Sequence, residues 1–236
     1  MTKFRVNKTK HVDQTKTVSF DFDGKSYRGF EGDTLASALL ANGVHLVGRS
    51  FKYHRPRGIM SSGSEEPNAI CQINEDTDLT EPNVRATEIE LYEGLKASSQ
   101  NCWPSVNFDI GGINNFISPF IPAGFYYKTF MWPKSFWKKI YEPLIRWSAG
   151  LGKSPTKPDP ELYDHKHVHC DVLIIGGGIS GIIASKIAAK NNLKTILIED
   201  KNILGGSTIF QKNENYKIND KYSGEWIDKE IAELKK

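Results

Sequence analysis

Three glycines and one carboxylate stand where a dinucleotide-binding site needs them. Gly176, Gly178 and Gly181 follow an apolar strand and lead into the predicted start of a helix. The first permits a tight turn, the second lets the main chain approach a pyrophosphate, and the third lets the helix pack on the strand. The free N–H groups of the helix N-terminus then face the phosphates. Glu199 ends the next apolar strand and can accept both hydroxyls of an adenosine ribose, which predicts NAD or FAD rather than NADP.

Other polar residues near this motif are weaker candidates. Ser180 lies in the glycine loop and can offer its N–H and hydroxyl to a pyrophosphate. Asp200 and Lys201 follow the second strand on the loop that would border the adenosine. Gly206 and Ser207 close that loop, and Ser207 is placed to bind a phosphate or a ribose. For each of these residues the alternative is a side chain that simply faces solvent.

A basic loop at 49–58, from Arg49 to Gly58, interleaves charge with aromatic residues. Binders of single-stranded nucleic acid share this texture. The net charge of only +3 and the lack of any other nucleic-acid motif favour a loop whose arginines pair with carboxylates of this or another subunit. We therefore predict no nucleic-acid partner.

A short run of metal-ligand residue types precedes the first strand of the glycine motif. His165, His167 and His169 alternate and are followed by Cys170, which could suggest a metal site. No carboxylate or cysteine pair with ligand spacing accompanies them, so we interpret this segment as a linker and predict no metal. No motif identifies a catalytic base or nucleophile, and catalytic residues stay unassigned.

Composition limits the class of protein. The 236 residues are enough for one large or two small domains, and 39% hydrophobic with 25% charged residues is typical of a soluble globular chain. Cys71, Cys102 and Cys170 are scattered, which suits a reducing cytoplasm. No secretory leader and no membrane-spanning apolar run is visible. We expect a cytoplasmic protein without a membrane partner.

The element pattern predicts an α+β domain at 17–101, resembling a β-grasp, after an N-terminal arm at 1–16. A turn at Asp23 and Gly24 joins the first two strands, and Asp33 is placed to cap the helix. The predicted elements are strands at 17–22 and 26–30, a helix at 34–42, and strands at 68–74 and 86–92.

The rest of the chain is predicted to hold a connector at 102–167 and the start of an α/β, Rossmann-like nucleotide domain at 168–236. Aromatic residues crowd the connector, and its prolines predict short helices and loops that pack these rings on neighbouring surface. A proline-rich stretch at 150–160 predicts a stiff linker. Too few strands follow the glycine motif to bury both faces of a sheet, so we expect a piece of a longer polypeptide.

Longer strings of residues resemble the alpha subunit of heterotetrameric sarcosine oxidase, at its N-terminal part. The resemblance runs through nearly the whole chain from about Asp13. The first domain of that family is like a [2Fe–2S] ferredoxin domain without its cluster. This chain agrees, because the C-x₄-C-x₂-C run is absent and Cys71 stands alone. The strings that carry the resemblance are 32–44, 48–58, 65–69, 122–133 and 163–165.

The resemblance implies a function for the whole complex. NAD is held by the nucleotide fold of the alpha subunit, whereas FAD and FMN belong to the beta subunit and its interface. With gamma and delta subunits, the heterotetramer oxidatively demethylates sarcosine, forms hydrogen peroxide and passes a one-carbon unit to tetrahydrofolate. Position by position, the implied NAD contacts are Ser180, Glu199, Asp200, Lys201 and Ser207.

Two alternatives stay open at this point. One is the alpha subunit of a related flavin-dependent amine, opine or proline dehydrogenase, or of hydrogen cyanide synthase; these often retain cluster cysteines. The other is a non-catalytic assembly module that binds no nucleotide.

Overall fold

The computed structural model describes residues 4–5, 12–75, 77–120, 124, 130–209 and 217–234. It divides into two compact units, Met1–Glu161 and Leu162–Lys236. The domain boundaries expected at 101 and 167 stay predictions. Most of the string at 122–133 that contributed to the resemblance lies outside the described residues.

The first unit is built on a mixed five-stranded sheet and one helix. Its strands run in the order β2-β1-β7-β5-β6, with β1 parallel to β7 and the other pairs antiparallel, while β3 and β4 form a separate pair. The elements are β1 (Asp13–Phe22), β2 (Lys25–Glu31), α1 (Leu35–Ala41), β3 (Gly48–Arg49), β4 (Pro56–Arg57), β5 (Ile70–Ile73), β6 (Glu81–Arg85) and β7 (Leu95–Ser99).

The core of this unit lies between α1 and the sheet. Alternation along β1 turns Phe20 and Phe22 inward, where they join Leu35 and Leu39 of the helix and Leu95 of β7. The hairpin and the helix are therefore confirmed close to their predicted positions, and the arrangement agrees with the β-grasp expectation.

The predicted helix cap was wrong by one residue. Thr34 is the N-cap: its hydroxyl accepts the N–H of Ser37, and the Ser37 hydroxyl accepts the N–H of Thr34. Asp33 is instead buried, because its carboxylate binds the guanidinium of Arg5 at 3.0 and 2.6 Å and accepts the N–H of Phe30. This ion pair fastens part of the N-terminal arm to the domain.

Two further expectations for this unit were wrong. The arm was predicted to reach residue 16, but β1 begins at Asp13 because Asp13 already pairs with Glu31 of β2. The strand predicted at 86–92 is a turn and loop, and the strands lie on either side of it as β6 and β7.

In the described residues of the connector the helices are short, as its prolines predicted. They are 3₁₀ turns at Ile110–Gly112, Ser118–Phe120 and Lys134–Phe136, a π-helical turn at Trp137–Tyr141, and the α-helices α2 (Ile113–Phe116) and α3 (Glu142–Ser148). The predicted packing of the aromatic rings is found in part: among the described residues, the ring of Tyr141 lies 5.1 Å from that of Phe130 and 6.2 Å from that of Phe136. The most exposed rings belong to Trp103, Phe108, Phe116, Phe120, Trp132 and Trp147.

The segment predicted as a stiff linker is partly bound to the edge of the five-stranded sheet. Lys153 exchanges two backbone hydrogen bonds with the side-chain amide of Gln72. The side-chain amide of Asn83 donates to the carbonyl of Leu151 at 2.7 Å. Ion pairs from Lys153 to Glu75 and from Lys157 to Asp78 add to this contact. The first half of the segment therefore belongs to the first unit.

The second unit is a parallel strand–helix–strand with a C-terminal helix. Strands β8 and β9 pair in parallel, and α4 connects them, as the glycine motif predicted. Ile182 of α4 packs with Trp226 and Ile227 of α5. The elements are β8 (Val172–Ile175), α4 (Ile179–Lys190), β9 (Thr195–Ile198), a 3₁₀ turn (Gly206–Ile209), β10 (Lys217–Ile218), β11 (Lys221–Tyr222) and α5 (Ser223–Leu234).

Among the residues described in both units, none of the helices combines the length and the apolar character that crossing a membrane requires.

Candidate functional site

The turn after β8 depends on its first glycine. Gly176 has a φ of +98°, a conformation that L side chains rarely adopt, and its N–H donates to the carbonyl of Ile198 at 2.7 Å. Gly181 is required for a different reason. A Cβ at that position would lie 1.9 Å from the carbonyl oxygen of Gly176, so only glycine lets α4 approach the turn so closely. Both predicted roles agree with this geometry.

Gly178 differs from its two neighbours in the motif. Its φ of −72° and ψ of −174° suit any residue, and a Cβ built on it would meet no heavy atom within 4 Å. The protein's own packing therefore gives no reason for glycine here. The open space lies beside the N-terminus of α4, where the main chain was predicted to approach a pyrophosphate.

The carboxylate of Glu199 returns to the glycine loop. Its Oε2 accepts the backbone N–H of Gly177, and its Oε1 accepts the N–H of Lys201 at 3.1 Å. A hydrogen bond with Asp200 lowers the pKa of Glu199, and the same bond raises the pKa of Asp200. Glu199 thus stays ionised at neutral pH.

A second glycine-containing loop lies against the first. The N–H of Gly205 donates to the carbonyl of Gly177 at 2.8 Å. Gly206 has a φ of +55°, and a Cβ built on it would lie 3.1 Å from the Cα of Gly178. The structure therefore brings Gly206 next to Gly178, as a shared phosphate site requires.

The remaining predicted contacts present their side chains to solvent. Ser180 is the second residue of α4, Lys201 lies two residues after Glu199, and Ser207 lies in the 3₁₀ turn; all three are exposed. Their roles stay predictions. Sequence reasoning missed Gly177, whose buried position leaves a Cβ only 2.4 Å from the Leu204 side chain. The signal available in the sequence was that Gly177 stands between Gly176 and Gly178 in a run of three glycines.

The basic loop of the first unit binds the connector through neutral oxygens. Arg49 donates from Nε and an Nη to the carbonyl of Val106 at 2.8 and 2.6 Å, and Arg55 donates to the side-chain oxygen of Asn115 at 2.9 Å. Among the described residues, Arg49 and Arg55 thus bond to neutral oxygens, and pairing of the arginines with carboxylates of another subunit stays a prediction. His54 of this loop does contact a carboxylate: its Nδ1 lies 2.7 Å from an oxygen of Asp109.

The loop between β4 and β5 surrounds a carboxylate. Glu66 is only 1% exposed. One of its oxygens accepts the N–H groups of Met60 and Ser61 at 2.7 and 2.6 Å, and the other accepts those of Asn68 and Ala69 at 2.7 and 3.1 Å. Burial alone would raise the pKa of Glu66, but these amides outweigh it and hold the pKa below its ordinary value.

The cysteines of the first unit are not arranged as a ligand set. Cys71 is buried in the core, and burial raises the pKa of its thiol to about 12. Burial also raises the pKa of Cys102, whose sulfur lies 3.4 Å from the hydroxyl of Ser99. In the described part of the chain, no three His, Cys, Asp or Glu side chains gather as a metal site.

Two protein families and several known proteins are similar to this chain. The family described as "2Fe-2S iron-sulfur cluster binding domain" matches residues 15–102, and the family described as "FAD dependent oxidoreductase" matches residues 171–225. The alpha subunit of sarcosine oxidase from Rhizobium meliloti (strain 1021) is 53% identical over 209 residues, which are 89% of this chain and 21% of that protein. The chain is similar to sarcosine oxidase alpha subunits. The resemblance seen in its motifs is confirmed.

Other similarities agree with this result. The sarcosine oxidase alpha subunit of Corynebacterium sp. (strain P-1) is 30% identical over 94% of this chain and 18% of that protein. The chain thus spans about a fifth of the length of the curated relatives it matches. L-proline dehydrogenase from P. horikoshii shares the fold, with a TM-score of 0.53, 19% identity, and coverage of 98% of this chain and 33% of that one. The predicted order, a ferredoxin-like domain and then the start of an oxidoreductase domain, is confirmed.

Proposed function

We propose that this chain is the N-terminal part of a sarcosine oxidase alpha subunit and that its second unit is the start of a Rossmann-like fold that binds the ADP half of NAD. The open space at Gly178 is the observation that carries this proposal. It lies beside a helix N-terminus and against a loop to which the Glu199 carboxylate is already bound. A pyrophosphate needs the open space and the helix N-terminus, and a ribose needs the carboxylate.

The residues present fit this ligand. Among the described residues, no hydrogen bond from the N–H groups of Gly178, Ile179 and Ser180 is found, and α4 has no side-chain cap. These amides and the positive end of the helix dipole suit a diphosphate. Glu199 is the acceptor for the two ribose hydroxyls. NAD here is a bound ligand that these residues position, and no residue of this unit acts on a substrate.

FAD is the second candidate for the same crevice. The match of residues 171–225 to an FAD-dependent oxidoreductase family favours it. Glu199 does not distinguish the two ligands, because both carry the same adenosine ribose. Equilibrium dialysis of the full-length subunit with NAD and with FAD decides between them. Binding of neither ligand would favour the assembly module.

We also propose that the ferredoxin-like domain carries no iron–sulfur cluster. A [2Fe–2S] cluster needs four protein ligands, usually thiolates, whereas residues 15–102 contain only Cys71 and Cys102. Cys71 packs in the core, and the N–H groups of the loop between β4 and β5 already donate to the carboxylate of Glu66. The donor set does not fit a cluster. Iron and sulfide analysis of the purified subunit tests this, and two iron atoms per subunit would contradict it.

The similarity to sarcosine oxidase alpha subunits supports a proposal for the whole complex. We propose that this chain assembles with beta, gamma and delta subunits and that FAD and FMN lie in the beta subunit and its interface. We also propose that the complex oxidatively demethylates sarcosine with formation of hydrogen peroxide, and that tetrahydrofolate accepts the one-carbon unit outside these residues. The exposed rings of Trp103, Phe116, Trp132 and Trp147 offer this chain an apolar surface for subunit contacts. Co-purification of tagged subunits tests the assembly. The cytoplasmic location stays a prediction.

A further inference from the structure

A cleft of about 140 Å³ lies in the first unit, beside the β3–β4 pair. Two arginines line it, Arg49 of β3 and Arg57 of β4. No Asp or Glu is found among the described residues of its lining. The lining is therefore positively charged. The remaining polar side chains that line it are Ser50, Asn68, Asn83, Gln100 and Asn101.

The walls of the cleft are held in place by hydrogen bonds among these amides. The side-chain oxygen of Gln100 accepts the N–H of Asn83 at 3.0 Å, and its nitrogen donates back to the Asn83 side chain at 3.3 Å. The Asn101 amide donates to the carbonyl of Ser50 at 2.6 Å. The cleft thus has a preformed shape that does not depend on a ligand.

The two arginines differ in what their guanidinium groups bind. Arg49 is engaged with the carbonyl oxygens of Val106 and His54. Arg57 is half-buried, and its backbone is fixed by the bond from the N–H of Val47 to its carbonyl at 3.0 Å. Its side chain meets no hydrogen-bond acceptor and no carboxylate among the residues that the structure describes. Arg57 therefore lines the cleft with a guanidinium that has no acceptor among the described residues.

We propose that Arg57 makes this cleft a binding site for a single oxyanion, a carboxylate or a phosphate group. A guanidinium binds such groups through two parallel hydrogen bonds, and the nearby Arg49 adds positive charge. A cleft of 140 Å³ is smaller than the roughly 300–1,000 Å³ of common ligand pockets, so it suits one small anionic group and not a nucleotide. The inference is independent of the dinucleotide site, which lies in the other unit.

The oxyanion has two sources, a free ion or a carboxylate side chain from another part of the complex, and the test separates them. The purified complex is added to inorganic phosphate, and the broadening of the phosphate ³¹P signal reports binding, with acetate as competitor. The wild type and Arg57→Gln are compared at constant ionic strength. Arg28→Gln is the matched control, because Arg28 is exposed on β2 and outside the cleft. The crystal structure of the complete complex is the second arm.

A free ion is supported if phosphate binds saturably and Arg57→Gln weakens binding by about tenfold or more while Arg28→Gln does not, as expected for loss of a charged hydrogen-bond pair. A protein source is supported if the complex shows an Asp or Glu from outside these residues bonded to Arg57. The proposal is overturned if phosphate binding is absent or insensitive to Arg57 and Arg57 faces solvent in the complex.

Discussion

Glu199 accepts the backbone N–H of Gly177, so the end of β9 is bonded to the glycine loop that follows β8. The carboxylate is therefore oriented before any ligand arrives. A preoriented acceptor loses less conformational freedom when it binds, which favours affinity. Glu66 is a second acceptor of this kind, a carboxylate that organises the loop around it.

Glu199→Gln should weaken NAD binding by about tenfold to a hundredfold, because a hydrogen bond to a charged group contributes about 1.5–3 kcal/mol. Glutamine keeps one oxygen for Gly177, so the loop should stay folded. Loss of the negative charge should also narrow the preference for NAD over NADP. Equilibrium dialysis of the full-length subunit with both nucleotides measures the two effects. Glu225→Gln, exposed on α5, is the control, and equal losses in both variants would refute the role of Glu199.

Gly178→Ala should abolish dinucleotide binding without destabilising the protein. The added methyl group enters space that the protein leaves open, which is where the pyrophosphate is expected. Gly181→Ala is the contrast, because its Cβ would collide with the carbonyl of Gly176 and should lower the melting temperature. Calorimetric titration with NAD and thermal unfolding are both needed. Unchanged NAD binding by Gly178→Ala would eliminate the proposed site.

Glu66→Gln should cost about 1.5–3 kcal/mol at neutral pH, because an amide cannot accept from four N–H donors in place of a carboxylate. The pKa of Glu66 is depressed in the folded state, so its ionisation stabilises the protein above the ordinary value of 4.5. This stabilisation is lost as pH falls through the folded pKa.

The difference between wild type and Glu66→Gln should therefore shrink below pH 4.5. Hydrogen exchange of the Met60 and Ala69 amides gives a local readout, with faster exchange expected in the variant. Glu65→Gln changes the exposed neighbouring carboxylate and serves as control. A pH-independent difference would show that charge is not what the loop requires.

Arg5→Met should destabilise the first unit by about 3–5 kcal/mol, because it leaves the carboxylate of Asp33 buried without its cation. Asp33 is 1% exposed and the Arg5 side chain 9%. The double variant Arg5→Met, Asp33→Asn should recover part of this loss, since no uncompensated charge remains. Urea unfolding of the subunit is measured for the wild type, for Arg5→Met, for Asp33→Asn and for the double variant. If the double variant is as unstable as the two single losses added together, the pairing is not the cause.

The local features of the fold were predictable from the sequence. Alternation and the turn at Asp23 and Gly24 were enough for the first hairpin, and the glycine spacing was enough for the strand–helix–strand of the second unit. Each of these elements depends on residues close together in the chain.

The missed strands depend on distant partners. In β7 only Leu95 and Ala97 are apolar and buried, and the strand exists because Leu95 pairs in parallel with Phe20 of β1. In β6, Pro82 and the left-handed Asn83 (φ 61°) lower the strand propensity. Both are tolerated because β6 is an edge strand.

The site shows the same division. The positions of Gly176, Gly178, Gly181 and Glu199 could be recognised because their spacing follows from one local motif. Glu66 could not, because next to Glu65 it looks like half of a solvated acidic pair. Its role appears only when four amides from both sides of the loop converge on it.

That convergence also affects how the first unit reaches its final form. Because the chain carries its own anion for this loop, the loop can close as soon as the surrounding strands have formed. The four N–H donors and their acceptor all come from one stretch of the chain, so this loop can fold from the translated sequence alone.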